Sequence, residues 1–294
     1  MPSKDEDLFG SIIMTDEVLL CSDLDRTIIP NGPQPESPRA RPLFRVVAER
    51  AELTLSYVTG RHLALLMQAI EEYELPVPDY AIGDVGTTIY EVTEGRWHLW
   101  DRWSEEIATD WRGRHHDDLQ RMFSDIEVLR LQEPEKQNVF KLSYYAPADI
   151  APKSLLDQMN ARLDAEGIRA SLIWSIDEMK HVGLLDVLPE RATKKHAIEF
   201  LMKNKGFEMA QTVFAGDSGN DLPALTSGLQ AVLVKNAIDE VRKAAVERAE
   251  ANGCRERLYL ARGGLLGMNG NYSAGVLEGL VHFLPHTRAW MKDA

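Results

Sequence analysis

The sequence predicts an α/β fold: a Rossmann-like core built on a parallel sheet, with an inserted smaller α/β module. Short, continuous apolar runs alternate with amphipathic helical segments at both ends of the chain. This alternation is typical of parallel strands covered by helices on both faces. In the middle of the chain, apolar and polar residues alternate instead, as in antiparallel strands with one exposed face. The length of 294 residues leaves room for both parts.

The first part of the core is predicted as strand, helix, strand, helix. An apolar run ends at two aspartates, and a loop rich in Pro, Gly and Asn follows it. A loop of this composition marks a break between regular elements. The predicted elements are a strand over 17–22, a helix ending at 49, a strand over 53–58 and an amphipathic helix that carries Leu63, Leu66, Met67 and Ile70 on one stripe.

The inserted module is predicted over residues 85–185, and the core over residues 1–84 and 186–294. Thr87–Val92 and Val139–Tyr145 alternate as antiparallel strands do, with polar, Trp-rich helical stretches between them. After Leu188 the rhythm of strand and helix resumes. The predicted elements there are helix 193–204, strand 212–215, helix 220–226, strand 231–234, helix 238–251 and helix 273–283.

Composition and charge exclude several classes of protein. The formal net charge is -13, and no cluster of Lys and Arg could follow a nucleic-acid backbone or an anionic membrane. No apolar stretch approaches the ~20 residues that span a bilayer. The two cysteines, Cys21 and Cys254, have neither disulfide-framework nor zinc-site spacing, which favours the reducing cytoplasm. We therefore expect a cytoplasmic protein with no nucleic-acid or membrane partner.

Four short polar motifs lie at predicted junctions between strands and helices, where the loops of a parallel sheet converge. Two carboxylates two residues apart can point into one space, a Thr-Gly-Arg turn offers a hydroxyl and backbone amides to a phosphate, and a Lys at a helix start favours an anion. Aspartates after a buried strand suit a hard metal ion. Each motif alone also occurs in turns and solvated helix ends. The motifs are Asp23-Leu24-Asp25-Arg26-Thr27, Thr59-Gly60-Arg61, Lys194 and Gly216-Asp217-Ser218-Gly219-Asn220-Asp221.

In this order, the motifs resemble those of the haloacid dehalogenase superfamily of phosphatases. The resemblance implies that Asp23 attacks a phosphate and forms an aspartyl-phosphate, while Asp25 acts as acid and base. It implies Mg²⁺ as cofactor, held by Asp23, Asp25, Asp217 and Asp221, and aided by Lys194. Thr59 is assigned to catalysis, and Thr27, Gly60, Arg61 and Asn220 to substrate binding. Lys194 is preferred to Lys195 because of its distance from Pro189.

The place of the insertion resembles the subgroup whose α/β cap covers the active site and selects the substrate. Within that subgroup the chain is similar to sucrose-phosphate phosphatase-like enzymes, through the segments 85–90, 141–145, 185–189 and 274–279. The resemblance adds Thr88 and Lys141 to the substrate-binding residues. Two positions depart from the pattern: Thr88 replaces the usual Glu, and Arg26 replaces the usual Gly or Asn. Four tryptophans of the insert, Trp97, Trp100, Trp103 and Trp111, are expected to pack its core rather than stack on a sugar.

The resemblance implies a phosphatase for a small phosphorylated sugar, with sucrose 6-phosphate first and mannosylfructose phosphate second. A glycosylglycerate-type phosphatase and a phosphosugar mutase share the motifs, and a non-enzymatic binding module that docks a glycosyltransferase is a further alternative. The intact residues Asp23, Asp25, Lys194 and Asp217 argue for an enzyme, because a binding module has no physical need to retain crowded carboxylates. A synthase that makes the phosphorylated sugar is an expected partner.

Overall fold

The computed structural model describes residues 17–177 and 180–292, which form twelve strands and nine α-helices. The strands are β1 (Val18–Ser22), β2 (Leu53–Val58), β3 (Tyr80–Gly83), β4 (Thr88–Thr93), β5 (Arg96–Leu99), β6 (Arg130–Leu131), β7 (Leu142–Pro147), β8 (Ala170–Asp177), β9 (Val182–Pro189), β10 (Thr212–Gly216), β11 (Gln230–Leu233) and β12 (Leu258–Leu260). The helices are α1 (Ala40–Ala48), α2 (Leu63–Glu72), α3 (Asp101–Ala108), α4 (His116–Met122), α5 (Pro152–Ala165), α6 (Lys194–Lys205), α7 (Leu222–Leu225), α8 (Asp239–Ala251) and α9 (Ser273–Phe283).

The main sheet has eight strands in the order β12-β11-β10-β1-β2-β3-β4-β5. The strands from β12 to β3 are parallel, and β4 and β5 continue the sheet in antiparallel pairing. All five residues of β1 are buried, as expected for a central strand with helices on both faces. The strand order places the ends of β1, β2 and β10 side by side at the carboxyl edge, where α/β proteins bind their ligands.

A second, four-stranded antiparallel sheet has the order β6-β7-β9-β8. Helices α4 and α5 contact β7 and β8 of this sheet. Its strand β9 ends at Pro189, and the chain then returns to the first sheet at Lys194, the first residue of α6. The short connection between these two elements therefore lies between the two modules.

The predicted fold class, a parallel-sheet α/β core, is confirmed. One strand that we expected in the insert, Thr87–Val92, pairs instead with β3 as β4 of the main sheet. The main sheet thus extends to Leu99, beyond the boundary expected at residue 85, because a hairpin can be added to the edge of a parallel sheet without a crossover helix. The ranges of the two domains otherwise stay a prediction.

The tryptophans of the insert pack against other side chains, but Trp100 and Trp103 contact Phe200 on α6 instead of the core of the insert. Trp103 and Trp111 are fully buried. The ring of Trp103 lies 5.1 Å from that of Phe200 on α6, and that of Trp111 lies 5.8 Å from Phe140. The contact of Trp103 joins the middle of the chain to the helix that carries Lys194, and the contact of Trp111 lies within the insert. In the described part of the chain, no helix is both long and apolar enough to span a bilayer.

Candidate active site

Asp23 lies directly after β1, at the carboxyl edge of the main sheet. Its backbone N–H donates to the carbonyl of Ala215 at 2.9 Å, which extends the pairing of β1 with β10 by one residue. The hydroxyl of Thr27 donates to Asp23 Oδ2 at 3.3 Å. Only 6% of Asp23 is exposed, so the backbone of two strands fixes this carboxylate inside the protein.

The carboxylates of Asp23, Asp217 and Asp221 form a buried cluster with oxygen atoms within 4.8 Å of one another. Asp221 is oriented by the backbone N–H groups of Asp217 and Ser218, which both donate to its Oδ2 at 3.1 Å. Gly216 permits this turn, since a Cβ there would lie 2.7 Å from the carboxyl carbon of Asp221. Three converging carboxylates are a donor set that fits a hard divalent cation.

Lys194 is the cation of this cluster. Its Nζ lies 2.7 Å from Asp23 Oδ1 and 2.8 Å from Asp221 Oδ1. The Thr193 side chain, which precedes the helix, accepts a hydrogen bond from the His196 N–H and so fixes the start of α6. The structure brings Lys194, and not Lys195, to Asp23, because Lys195 faces Glu199 on the surface of α6 at 3.7 Å.

Burial governs the charges of the cluster. It raises the pKa of Asp23 to about 7, against the lowering effect of Lys194. Burial also raises the pKa of Asp217 to about 6, with the charge of Asp221 adding to the effect. Burial lowers the pKa of Lys194, because it disfavours the charged ammonium. The negative charges of Asp221 and Asp23 have a larger effect and raise this pKa above its ordinary value. Added positive charge at this cluster therefore favours the ionised nucleophile.

Asp25 is not one of the three clustered carboxylates, and it binds Arg61. The Asp25 oxygens accept from Arg61 Nε at 2.8 Å and from Arg61 Nη2 at 2.7 Å. Asn31 Nδ2 adds a third hydrogen bond at 2.8 Å. Partial burial would raise the pKa of Asp25, yet the bonds from Arg61 and Asn31 lower it. Arg61, which we assigned to substrate binding, thus holds the expected acid and base in its ionised form.

Arg26 is a second cation at the cluster. Its Nε lies 3.2 Å from Asp217 Oδ2. The residue has a left-handed φ of 60°, and the side chain of Asn236 holds its carbonyl with a 2.6 Å hydrogen bond. A left-handed φ costs energy in a residue with a long side chain, and such strain concentrates at functional sites. Arg26 and Lys194 therefore both offset the negative charge of the carboxylates.

The remaining predicted site residues differ in their surroundings. Thr59 is buried, and its Oγ1 accepts from the Arg61 N–H at 3.2 Å. Gly60 is exposed in the same turn. Asn220 is exposed and accepts a hydrogen bond from Ser218 Oγ at 2.7 Å. Thr27 reaches both Asp23 and Asp217. The turn after β10 thus forms part of the cluster, and the turn after β2 reaches Asp25 through Arg61.

Thr88 and Lys141, both buried, lie where the insert meets the main sheet. The Thr88 hydroxyl donates to Asp84 Oδ2 at 3.2 Å, and the charge of Lys141 acts on Asp84. Sequence reasoning missed Asp84. It follows β3, a strand that we did not predict, so the rule that polar residues after parallel strands are site candidates was not applied to it.

Comparison with known proteins gives a consistent result. Residues 16–284 match a protein family described as sucrose-6F-phosphate phosphohydrolase. A HAD-like hydrolase of Nitrosococcus oceani is 58% identical over 279 residues, which cover 95% of this chain and 75% of that protein. A mannosylfructose-phosphate phosphatase of Agrobacterium fabrum is 29% identical over 225 residues, which cover 76% of this chain and 85% of that one.

Among solved structures, the sucrose-phosphatase of Synechocystis in complex with sucrose and phosphate is similar to this chain. The TM-score is 0.67 and the sequence identity 28%, and the match covers 91% of this chain and 98% of that one.

Proposed function

Because the chain belongs to the sucrose-6F-phosphate phosphohydrolase family and is a phosphatase of the haloacid dehalogenase superfamily, we propose that it hydrolyses the phosphate monoester of a phosphorylated disaccharide of the sucrose 6-phosphate kind. The observation that carries the proposal is the buried Asp23, which contacts Lys194 at 2.7 Å inside a cluster of three carboxylates. A fixed carboxylate with cations beside it is suited to attack a phosphorus atom.

In the proposed reaction, an oxygen of Asp23 attacks phosphorus while the bond from phosphorus to the sugar oxygen breaks. Asp25 gives its proton to the leaving sugar oxygen, which releases the sugar as an alcohol. A water molecule then attacks the aspartyl-phosphate, and Asp25 takes the proton of that water. Inorganic phosphate leaves, and Asp23 is restored as a carboxylate.

Contact with Arg61 determines whether Asp25 can act as base or as acid. With both oxygens bound by Arg61, Asp25 is ionised and ready to accept the proton of water in the second step. For the first step Asp25 has to carry a proton, and the contact with Arg61 must loosen to let it do so. Arg61 therefore positions Asp25, and its movement is part of the cycle.

The carboxylates of Asp23, Asp217 and Asp221 fit Mg²⁺ and would hold it. The resemblance of the motifs adds the Asp25 backbone carbonyl as a further ligand. When bound, Mg²⁺ supplies positive charge that offsets the repulsion between the phosphate and the carboxylates. Lys194 contributes to the same offset from its position between Asp23 and Asp221. We propose magnesium dependence on this basis.

The similarity to mannosylfructose-phosphate phosphatase supports that substrate as the second candidate. A phosphosugar mutase would return the phosphoryl group to the sugar, so the product distinguishes it. A synthase partner stays a prediction, as does the cytoplasmic location.

The test is a panel of phosphorylated sugars incubated with the purified protein and Mg²⁺. The panel contains sucrose 6-phosphate, mannosylfructose phosphate, hexose monophosphates and para-nitrophenyl phosphate. We expect the highest efficiency of phosphate release with a disaccharide phosphate, and loss of release in excess chelator. Conversion of a hexose phosphate to its isomer without free phosphate would instead identify a mutase. Equal efficiency on all members would refute the disaccharide assignment.

A further inference from the structure

Strand β8 lies at one edge of the four-stranded sheet, where it pairs with β9. Its sequence, ASLIWSID, contains no Lys, Arg or Pro and has one charge, at its last residue. Natural proteins protect sheet edges with short strands, charges or Pro, because a bare edge pairs with other chains. Among the described residues, the other edge strands are only two to four residues long: β5, β6 and β12. The unprotected edge of β8 therefore requires an explanation.

The backbone of β8 directs hydrogen-bonding groups to its open side. Pro189, opposite Ala170 on β9, has no N–H, and the Glu190 N–H donates to the Arg169 carbonyl at 3.3 Å. Bonded pairs alternate along an antiparallel ladder, so Arg169 and every second residue after it bond to β9. The residues between them direct N–H and C=O outward, and within the described part of the chain they form no backbone hydrogen bond on that side: Ala170, Leu172, Trp174 and Ile176.

Apolar side chains are exposed along the same edge. Ile173 is 42% exposed and Ile176 is 51% exposed. The two side chains lie on opposite faces of β8, because successive side chains of a strand alternate. Ser175, also exposed, shares the face of Ile173. A second strand laid along β8 would therefore supply backbone hydrogen bonds and cover apolar surface on both faces.

The charges at the ends of β8 indicate a second copy of the same strand as the occupant. Asp177 ends the strand, and Arg169 lies directly before it. The Arg169 side chain contacts Asp110 but stays 57% exposed. Two copies of one strand pair antiparallel about a two-fold axis, and their outward backbone groups meet only if the axis passes through a residue. An axis at Ile173 places Arg169 of each copy opposite Asp177 of the other.

This register also matches the other positions of the strand. Moving the axis by one residue in either direction leaves no cation opposite Asp177. With the axis at Ile173, the two Ile173 side chains meet, and Ser171 lies opposite Ser175, where their hydroxyls can exchange a hydrogen bond. The pairs on the other face are apolar and carry the backbone hydrogen bonds: Leu172 with Trp174, and Ala170 with Ile176.

We propose that β8 is a dimerisation strand, through which two copies of the chain form one antiparallel sheet of eight strands. The inference concerns assembly and is independent of the proposed function, since no residue of β8 belongs to the carboxylate cluster. Pairing through one strand buries less surface than a standard interface, so we expect association in the micromolar range.

The first experiment measures the mass of the full chain by analytical ultracentrifugation. Concentrations run from about 1 to 100 μM, at about 0.15 M salt to screen the net charge of -13. We expect the mass to rise from the 33.1 kDa of one chain toward twice that value. Ile173→Lys should weaken association at least ~10-fold, because it places two like charges at the axis and removes apolar contact. Val139→Lys is the matched control, since Val139 is 55% exposed in the same insert but is not on β8.

The second experiment tests the register by disulfide formation. Opposite residues of a non-hydrogen-bonded pair have Cα atoms about 4.5 Å apart, which a disulfide can span, so Ile173→Cys should cross-link two chains under mild oxidation. Ser175→Cys is the control, because the two copies of this residue lie about 13 Å apart along the strands and should not cross-link. The double variant Ser171→Cys, Ser175→Cys should cross-link. Cys21 and Cys254 are buried, so non-reducing electrophoresis has little background.

Two outcomes overturn the inference. One is the mass of a single chain at every concentration, with no cross-link from Ile173→Cys. The other is a dimer that Ile173→Lys leaves intact, or that Ile173→Cys and Ser175→Cys cross-link equally, because its contact then lies elsewhere. If Ile173→Lys does not fold, as judged by circular dichroism, the comparison of the cysteine variants decides.

Discussion

At the scale of single residues, the site is a balance of buried charges. Three carboxylates converge within 4.8 Å. Lys194 contacts two of them, and Arg26 contacts Asp217. Each ionised group is held by a named partner, because an unpaired buried charge would titrate to its neutral form. Replacing one of these charged residues should therefore have one effect on turnover and a separate effect on the stability of the folded protein.

Asp23→Asn should lower turnover by more than ~10³-fold, because an amide cannot act as the nucleophile. Its stability should not fall. The folded-state pKa of Asp23 is raised to about 7, so the ionised carboxylate opposes folding above its ordinary pKa, and the neutral amide removes that cost. Phosphate release and urea unfolding at pH 8 check both statements. Near-normal turnover would contradict the assignment of the nucleophile.

Arg61→Gln should lower kcat by about 10- to 100-fold with little change in KM, since Arg61 positions Asp25. Steady-state kinetics on a sugar phosphate separate the two constants. Arg41→Gln is the control, because Arg41 makes a similar two-point pair with Glu36, at 2.7 and 3.1 Å, away from the cluster. A raised KM with normal kcat would return Arg61 to the substrate-binding role that the sequence predicted.

At the scale of elements, turns at the carboxyl edge of the sheet decide where the side chains point. The turn after β10 brings Asp221 back toward Asp217, and the turn after β3 rests on the start of α6. Both depend on a glycine that allows close backbone approach. A substitution in either turn should therefore displace catalytic residues although it replaces none of them.

Gly86→Ala tests this dependence. The added Cβ would lie 3.1 Å from the backbone nitrogen of Lys194, and Gly86 has a φ of +96°. Displacement of Lys194 should lower kcat by at least ~10-fold. Gly95→Ala is the matched control, since Gly95 has a φ of +74° but no atom within 4 Å of a Cβ. It should lose about 1 kcal/mol of stability and keep its kcat.

Kinetics and urea unfolding of both glycine variants provide the measurement. Equal kcat in the two variants would show that the turn after β3 does not position Lys194.

At the scale of the whole molecule, the site exists only in the folded chain. Asp23 and Lys194 are 171 positions apart, and Lys194 and Asp221 are 27 apart. The unfolded chain cannot bring them together without paying the entropy of closing these loops. A cation that binds the cluster therefore binds the folded state selectively.

Mg²⁺ should raise the thermal midpoint of unfolding, with a gain of about 2.7 kcal/mol when its concentration is about 100 times its Kd. Differential scanning fluorimetry with increasing MgCl₂ measures the shift. Asp217→Asn should reduce it, because one oxygen ligand is lost. A shift that is identical in the two proteins would place the bound ion elsewhere.

The sequence determined the fold class, the central strands and the order of the motifs. The predicted bounds of strand β2 and of helix α9 are the observed ones. These elements are determined locally, because apolar periodicity and strand-end polarity are properties of neighbouring residues. The resemblance of the four motifs to a phosphatase superfamily pointed to the family that the comparisons then showed.

Only the tertiary structure decided how the motifs meet. The pairing of Arg61 with Asp25 and the contact of Arg26 with Asp217 join residues that are 36 and 191 positions apart. The placement of β4 in the main sheet likewise depends on pairing with β3. Such contacts follow from the packing of distant segments, and local sequence patterns do not predict them.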